Sequence, residues 1–210
     1  MGISGVLGLA QAPSPNKEVA AETGGTPPRS GPADYQARAQ AGKYTIAADF
    51  TGHTINTLTS NFTNAEYVVV EVAAYGPAGE RLTISLDDFS LRLNGNKKVI
   101  GTQPFSFLLP ELRDPEWEAN IPQPDEKKGK KKQQTSEDLT APPPPPPVYP
   151  IEIRREMAER LRKLQLPLGE RALPQSGLIF FQYGGRPEKL KSIELLYKGA
   201  ASSATLSFRP

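Results

Sequence analysis

Cysteine is absent from this 210-residue chain. Without it there is no disulfide framework, no thiolate nucleophile and no cysteine-ligated metal. A single histidine leaves nothing for a His cluster. No apolar run reaches about 18 residues, the length a membrane-spanning helix needs. Excess charge of one sign is missing too: 25 Lys and Arg face 23 Asp and Glu, a net of +2. A nucleic-acid protein needs a sustained positive field, which this balance does not supply. The G-x-S-x-G elbow and the phosphate-binding loop are also lacking. The expectation is a protein that is not an enzyme, with no catalytic, cofactor-binding or metal-ligating residues.

Proline and glycine are plentiful, at 22 and 18 residues, and only 37% of the chain is apolar. The core must therefore come from a subset of the sequence. At the N-terminus, Ile3 to Ala10 is small and apolar, and Ala10-Gln11-Ala12 has the A-x-A form of a signal-peptidase site. Val6 stands where myristoylation after Met1-Gly2 needs Ser or Thr. Residues 13–41 are rich in Pro, Gly, Ala, Thr and Ser, with few apolar groups to offset the entropy of ordering. Residues 1–41 are thus expected to be a truncated signal sequence and a disordered leader. The protein is expected to be exported, to the periplasm or the outside of the cell.

Strand patterning begins at Lys43. Tyr44, Ile46, Ala48 and Phe50 alternate with Thr45, Ala47 and Asp49, the period of two of a half-buried strand. Val68, Val70, Val72 and Ala74 point one way, and Tyr67, Val69, Glu71, Ala73 and Tyr75 the other. β-branched residues on both faces predict a central strand. Gly76-Pro77-Ala78-Gly79 then predicts a turn into Leu82, Ile84 and Leu86, giving a hairpin. The apolar register slips at Asp87-Asp88 and resumes at Phe89, Leu91 and Leu93, which demands a bulge or strand break there. Asn94-Gly95 reads as a hairpin turn. Val99 to Leu109 alternates through Phe105 and Phe107, with Pro104 marking a boundary or an edge. Three further strands follow, over Gly177–Tyr183, around Ile193–Tyr197, and around Ala204–Phe208, the last two as a hairpin.

Between these strand groups the pattern changes. Glu111 to Ala119 has room for a helical turn or two around Trp117. Residues 120–149 read as a charged, Lys-rich and polyproline linker. Pro142 to Pro147 form a hexaproline suited to polyproline II. Residues 150–166 predict an amphipathic helix, with Ile153, Met157, Leu161 and Leu164 on one stripe. Packing of that stripe on the chain's own sheet is favoured over packing on a partner. Pro150 suits its start and Pro167 its stop.

The strand count and the turns between strands argue for an antiparallel β-sandwich. The segment YVVVEVAAYGPAGERLTISLDDFSLRLNG, followed by GLIFFQYGG and SIELLYKGAASSATLSF, resembles secreted bacterial immunoglobulin-like domains of uncharacterised function. Those domains carry a V-V-V-x-V…I-S-x-x-D-F-x-L core and a closing hairpin. The resemblance covers residues 43–109 and 177–210. It implies an all-β, immunoglobulin-like antiparallel β-sandwich with a long proline-rich insert containing one amphipathic α-helix. Its bounds are 42–210, discontinuous as 42–110 and 176–210, with the insert at 111–175. The Cys pair and buried Trp of antibody domains are not part of the match, and Trp117 lies in the insert.

Few residues offer chemistry. Asp87 and Asp88 are oxygen ligands of the type Ca²⁺ takes. Neighbours on a strand point opposite ways, however, so a turn or bulge role is favoured. His53 follows a glycine at a strand end with no orienting partner, which predicts a solvent-exposed loop histidine. Asn61-Phe62-Thr63 matches a glycosylation sequon, of consequence only in a eukaryotic secretory pathway. Lys127, Lys128, Lys130, Lys131 and Lys132 form the most basic spot, a candidate contact for an anionic surface. From Asp125 to Asp138 five lysines nonetheless face four acids, a net of +1, as in a solvated linker. The expected function is a non-catalytic structural or protein-interaction module of the bacterial envelope or periplasm, with another envelope protein as its partner. The alternative is an adaptor that recruits a partner or an anionic surface through helix 150–166, the polyproline run and the Lys cluster. Neither nucleic acid nor a transmembrane span enters either reading.

Overall fold

Period-two alternation builds most of the molecule. The computed structural model describes residues 24–57, 59–120, 148–199 and 202–208. In chain order the strands are β1 (Ala37–Ala41), β2 (Tyr44–Gly52), β3 (Thr54–Asn56), β4 (Asn61–Asn64), β5 (Tyr67–Tyr75), β6 (Arg81–Ile84), β7 (Phe89–Leu93), β8 (Ile100–Gln103), β9 (Leu112–Arg113), β10 (Gly169–Ala172), β11 (Gln175–Gln182), β12 (Ile193–Lys198) and β13 (Ser203–Phe208). The helices are α1 (Pro115–Ala119) and α2 (Ile151–Leu164).

The fold is mainly β and its named strand pairs are antiparallel. Eight strands form one sheet in the order β1-β2-β5-β11-β8-β7-β12-β13. Strand β8 is its joint: Thr102 and Gln103 pair with β11, while Ile100 and Gly101 pair with β7. The end strands β1 and β13 lie beside each other, so the sheet curls into a nearly closed barrel. Short side chains permit that approach, because Ala37 and Ala41 of β1 and Ala204 of β13 are all buried there.

The inward faces fill the barrel. Val70 of β5, Ile46 of β2, Ile179 and Phe181 of β11, Leu91 of β7 and Leu195 of β12 are fully buried in one cluster. The outward face of β5 carries Tyr67 and Val69, and α2 covers them. Met157 and Leu161 of α2 pack there with Leu178 and Phe180 of β11. The helix stripe therefore packs on the chain's own sheet. Full burial of a leucine such as Leu161 contributes about 2 kcal/mol. At the end of α2 the chain crosses β11 closely: the Leu166 N–H donates to the Leu178 carbonyl at 3.0 Å. Only glycine fits beneath, since a Cβ at Gly177 would lie 2.6 Å from the Leu166 nitrogen.

Several expectations need correction. The stretch around Gly76–Gly79 is a turn, but β5 and β6 do not pair. Strand β5 is flanked by β2 and β11 on its two edges, which leaves no free edge, so β6 pairs with β10 instead. Past Gln103 the chain leaves the strand at Pro104 and makes short 3-10 turns at Phe105–Phe107 and Leu109–Glu111. The insert 111–175 contributes β9, α1, α2 and β10 to the fold, more than one helix. Residues 24–41, read as part of a disordered leader, pack on the sheet and include β1. The reason lies in two residues. Arg29 pairs with Asp49 and Glu71, and Tyr35 is 6% exposed. The remaining expected segments of the leader (1–23) and linker (121–147) lie outside the described residues.

Candidate binding groove

Beyond Pro104 the two 3-10 turns carry Leu109 and Pro110 across the outside of the sheet, and β9 then docks on β4. Facing them, α2 starts behind Pro150, whose missing N–H is harmless at a helix entry. Between the two runs lies a trough of about 420 Å³, floored by Leu112 and Met157 and walled by Leu109, Pro110 and Tyr149. The helix contributes Ile151, Arg154, Arg155 and Ala158. Their spacing of i, i+3, i+4 and i+7 makes them one helix face, distinct from the stripe on the sheet.

The Tyr149 wall is held from several sides. Its hydroxyl accepts the Asp114 N–H at 2.8 Å and donates to the Glu118 carboxylate. Its ring lies against Trp117, with centroids 4.7 Å apart. Asp114 caps α1 by accepting the N–H groups of Glu116 and Trp117 at 3.1 and 3.0 Å, and Pro115 at the first helical position completes the start signal. Arg113 grips Glu118 through two bonds, of 2.8 and 2.6 Å. Burial, then the hydrogen bond to Glu118, pushes the Tyr149 phenol up to about 12. The Arg113 hydrogen bond, with help from Tyr149, holds the Glu118 carboxyl below its ordinary value of 4.5. Near neutral pH the wall is thus one charge-assisted unit.

The lip is cationic. Arg154 and Arg155 are exposed, and among the described residues neither ion-pairs with a carboxylate. Arg160, by contrast, is spent on Glu156. Such a groove can bind through apolar contact and charge. Its only polar floor or wall hydroxyl, that of Tyr149, is already bonded on both sides.

The residues singled out from sequence lie elsewhere. Asp87 and Asp88 sit in a 3-10 turn, Leu86–Asp88, between β6 and β7. The Asp88 carboxylate accepts the Ser85 N–H at 2.8 Å, and the Ser85 hydroxyl accepts the Asp87 N–H at 3.2 Å. His53 is not a solvent-exposed loop residue. It is half-buried, with Nδ1 2.7 Å from the Tyr67 carbonyl oxygen and Nε2 2.8 Å from that of Gly185. It lines two concavities of about 440 and 720 Å³, but both its ring nitrogens are turned to backbone oxygens. The Lys127–Lys132 cluster, the Pro142–Pro147 run and the Ala10-Gln11-Ala12 site are outside the described residues. Among the described residues no group of three or more His, Asp or Glu is placed to hold a metal ion. None of the described helices is long and apolar enough to cross a membrane.

Two clusters escaped the sequence reading. Arg154 and Arg155 lie among Glu152, Glu156 and Glu159 in the sequence, and their i, i+3, i+4, i+7 set with Ile151 and Ala158 was the signal available. The Arg29 cluster had none. Arg29 bonds Asp49 at 2.5 Å and Glu71 at 2.9 Å, and lies 4.1 Å above the Tyr35 ring. Thr26 donates to Glu71 at 3.0 Å and contacts the Ser176 hydroxyl at 2.6 Å. No family model matches this chain, and neither does any curated protein or solved structure.

Proposed function

We propose that this chain is an exported, non-catalytic module of the bacterial envelope or periplasm that works by binding another protein. The observation that carries the reading is the groove beside α2. Its floor is apolar, its wall is fixed by Tyr149, and its arginines are unpaired among the described residues. The contrast with the other candidates adds support, since Asp88 and His53 are engaged with backbone groups. Export rests on the Ala10-Gln11-Ala12 pattern. Kinship with immunoglobulin-like sandwiches belongs to the same proposal. It rests on the residue pattern of Tyr67–Gly95 and on the closing hairpin of β12 and β13.

The adaptor reading has one observation in its favour: Arg154 and Arg155 stand on the helix it invokes, so recruitment through α2 and binding in the groove are one surface. The test uses a photo-reactive residue at Ile151, 46% exposed on the rim of the groove, and a control at the exposed Asn96, in the source cells. The expected result is a discrete protein adduct from position 151 only, recovered in the envelope or periplasmic fraction. Residence in the cytoplasm, or equal labelling from both positions, would overturn the reading.

A further inference from the structure

We infer that the groove is the docking site for an acidic peptide segment of a partner protein, anchored by one apolar side chain. The inference rests on the reading above and specifies the partner's chemistry. Three observations fix it. The floor is apolar, formed by Leu112 and Met157, both 4% exposed, so the inserted group is apolar. The only hydroxyl in the wall, on Tyr149, already accepts from Asp114 and donates to Glu118. Nothing inside is left to orient a small polar ligand, which is what small-molecule pockets provide. The lip carries Arg154 and Arg155, exposed and without an ion-pair partner among the described residues, and these call for carboxylates placed just outside the anchor.

The surroundings separate this occupant from others. Ile151, 46% exposed, sits one helical turn before Arg155. An anchor followed or preceded by acids at a turn's spacing would meet both, the geometry of a short helix or turn laid along a helical groove. A lipid surface asks for a broader basic face with bulky aromatics, whereas α2 carries Glu152, Glu156 and Glu159 among its arginines. Nucleic acid asks for a positive field, and the net charge is +2.

Trp117 reports on the site directly. It is the only tryptophan in the chain and lies against Tyr149 in the groove wall. The full chain is titrated with three synthetic ten-residue peptides: a Leu-Phe pair flanked by glutamates, the same pair flanked by lysines, and a glutamate peptide with Ala-Ala at the centre. Phosphatidylglycerol vesicles form a fourth arm. The expected result is a saturable change in Trp117 emission with the first peptide alone. R154E/R155E should weaken that peptide by about tenfold and favour the lysine peptide. Ala158→Leu, which fills the trough and leaves both arginines, should abolish binding. Thermal melts establish that each variant is folded, and R154Q/R155Q replaces the charge reversal if it is not.

Equal response to acidic and basic peptides overturns the inference. So does acidic binding that ignores the arginine substitutions, or binding to vesicles and to no peptide. Self-association in sedimentation that disappears with Ala158→Leu assigns the groove to a second copy and overturns it as well. If the Ile151 adduct forms in cells while no acidic preference is found, the peptide inference falls and the interaction reading stands. Loss of the adduct itself brings down the reading.

Discussion

The inner and outer faces of the curled sheet are built on different principles. Inside, apolar side chains from every quarter of the barrel meet in one cluster. Outside, the same strands are covered piecemeal: α2 lies on Val69 and Phe180, residues 24–36 lie on Asp49, Glu71 and Ser176, and the trough beside α2 stays open. The inner face needs only alternation and volume. Each outer patch needs particular partners, brought together from far apart in the chain. Stability belongs mainly to the first arrangement, and the proposed recognition to the second.

The sharpest way to break the contrast is to hollow out the inside. Phe181→Ala removes a fully buried ring from the barrel and should lower stability by about 3–5 kcal/mol, measured by urea unfolding. A loss under 1 kcal/mol would mean that the interior is not what holds the sheet.

Next in size is Arg29→Ala, on the outside. It leaves the Asp49 and Glu71 carboxylates, with side chains 13% and 17% exposed, without their counter-ion. The expected loss is about 2 kcal/mol, between the roughly 0.5 of an exposed pair and the 3–5 of a buried one. Denaturant unfolding measures it, and proteolysis near residue 30 should quicken as the strap is released.

That strap also marks where sequence reading stopped. The inner face was readable from residues such as Val68, Val70 and Val72, because period-two alternation depends only on near neighbours. The break at Asp87-Asp88 was readable for the same reason, as was α2 from Ile153, Met157, Leu161 and Leu164. Arg29 was not. Its partners are 20 and 42 positions away and Thr26 meets Ser176 150 positions on, so the Pro- and Gly-rich composition around it pointed to disorder. The β5–β6 hairpin failed differently: the turn was right, but strand β11, more than 100 positions downstream, holds the edge of β5 that a hairpin would use. The groove combines both problems, since its two walls come from Leu109–Leu112 and Tyr149–Ala158.

A smaller effect sharpens the picture of the groove wall. The folded state holds the Glu118 carboxyl below 4.5, so folding favours its ionised form. That contribution is present above pH 4.5 and is lost as the pH falls through the lowered value. Trp117 emission should therefore change in that acid window before global unfolding, and Glu118→Gln should remove the transition. The Tyr149 phenol runs the opposite way: raised from 10.0 to about 12, it contributes below pH 10 and its contribution is lost between pH 10 and 12.

Smallest of all should be the stability change of R154E/R155E. Both side chains are exposed and unpaired among the described residues, so unfolding free energy should move by no more than about 0.5 kcal/mol. A loss like that of Arg29→Ala would give these arginines a structural duty and erase the distinction between the two faces.

Hydrogen exchange on the full chain, with and without the acidic Leu-Phe peptide, tests the division most directly. Protection should rise at Leu109–Arg113 and Tyr149–Ala158 and stay unchanged in β5, β11 and β12. Protection that rises in those interior strands, or around Arg29 and Tyr35, would contradict it.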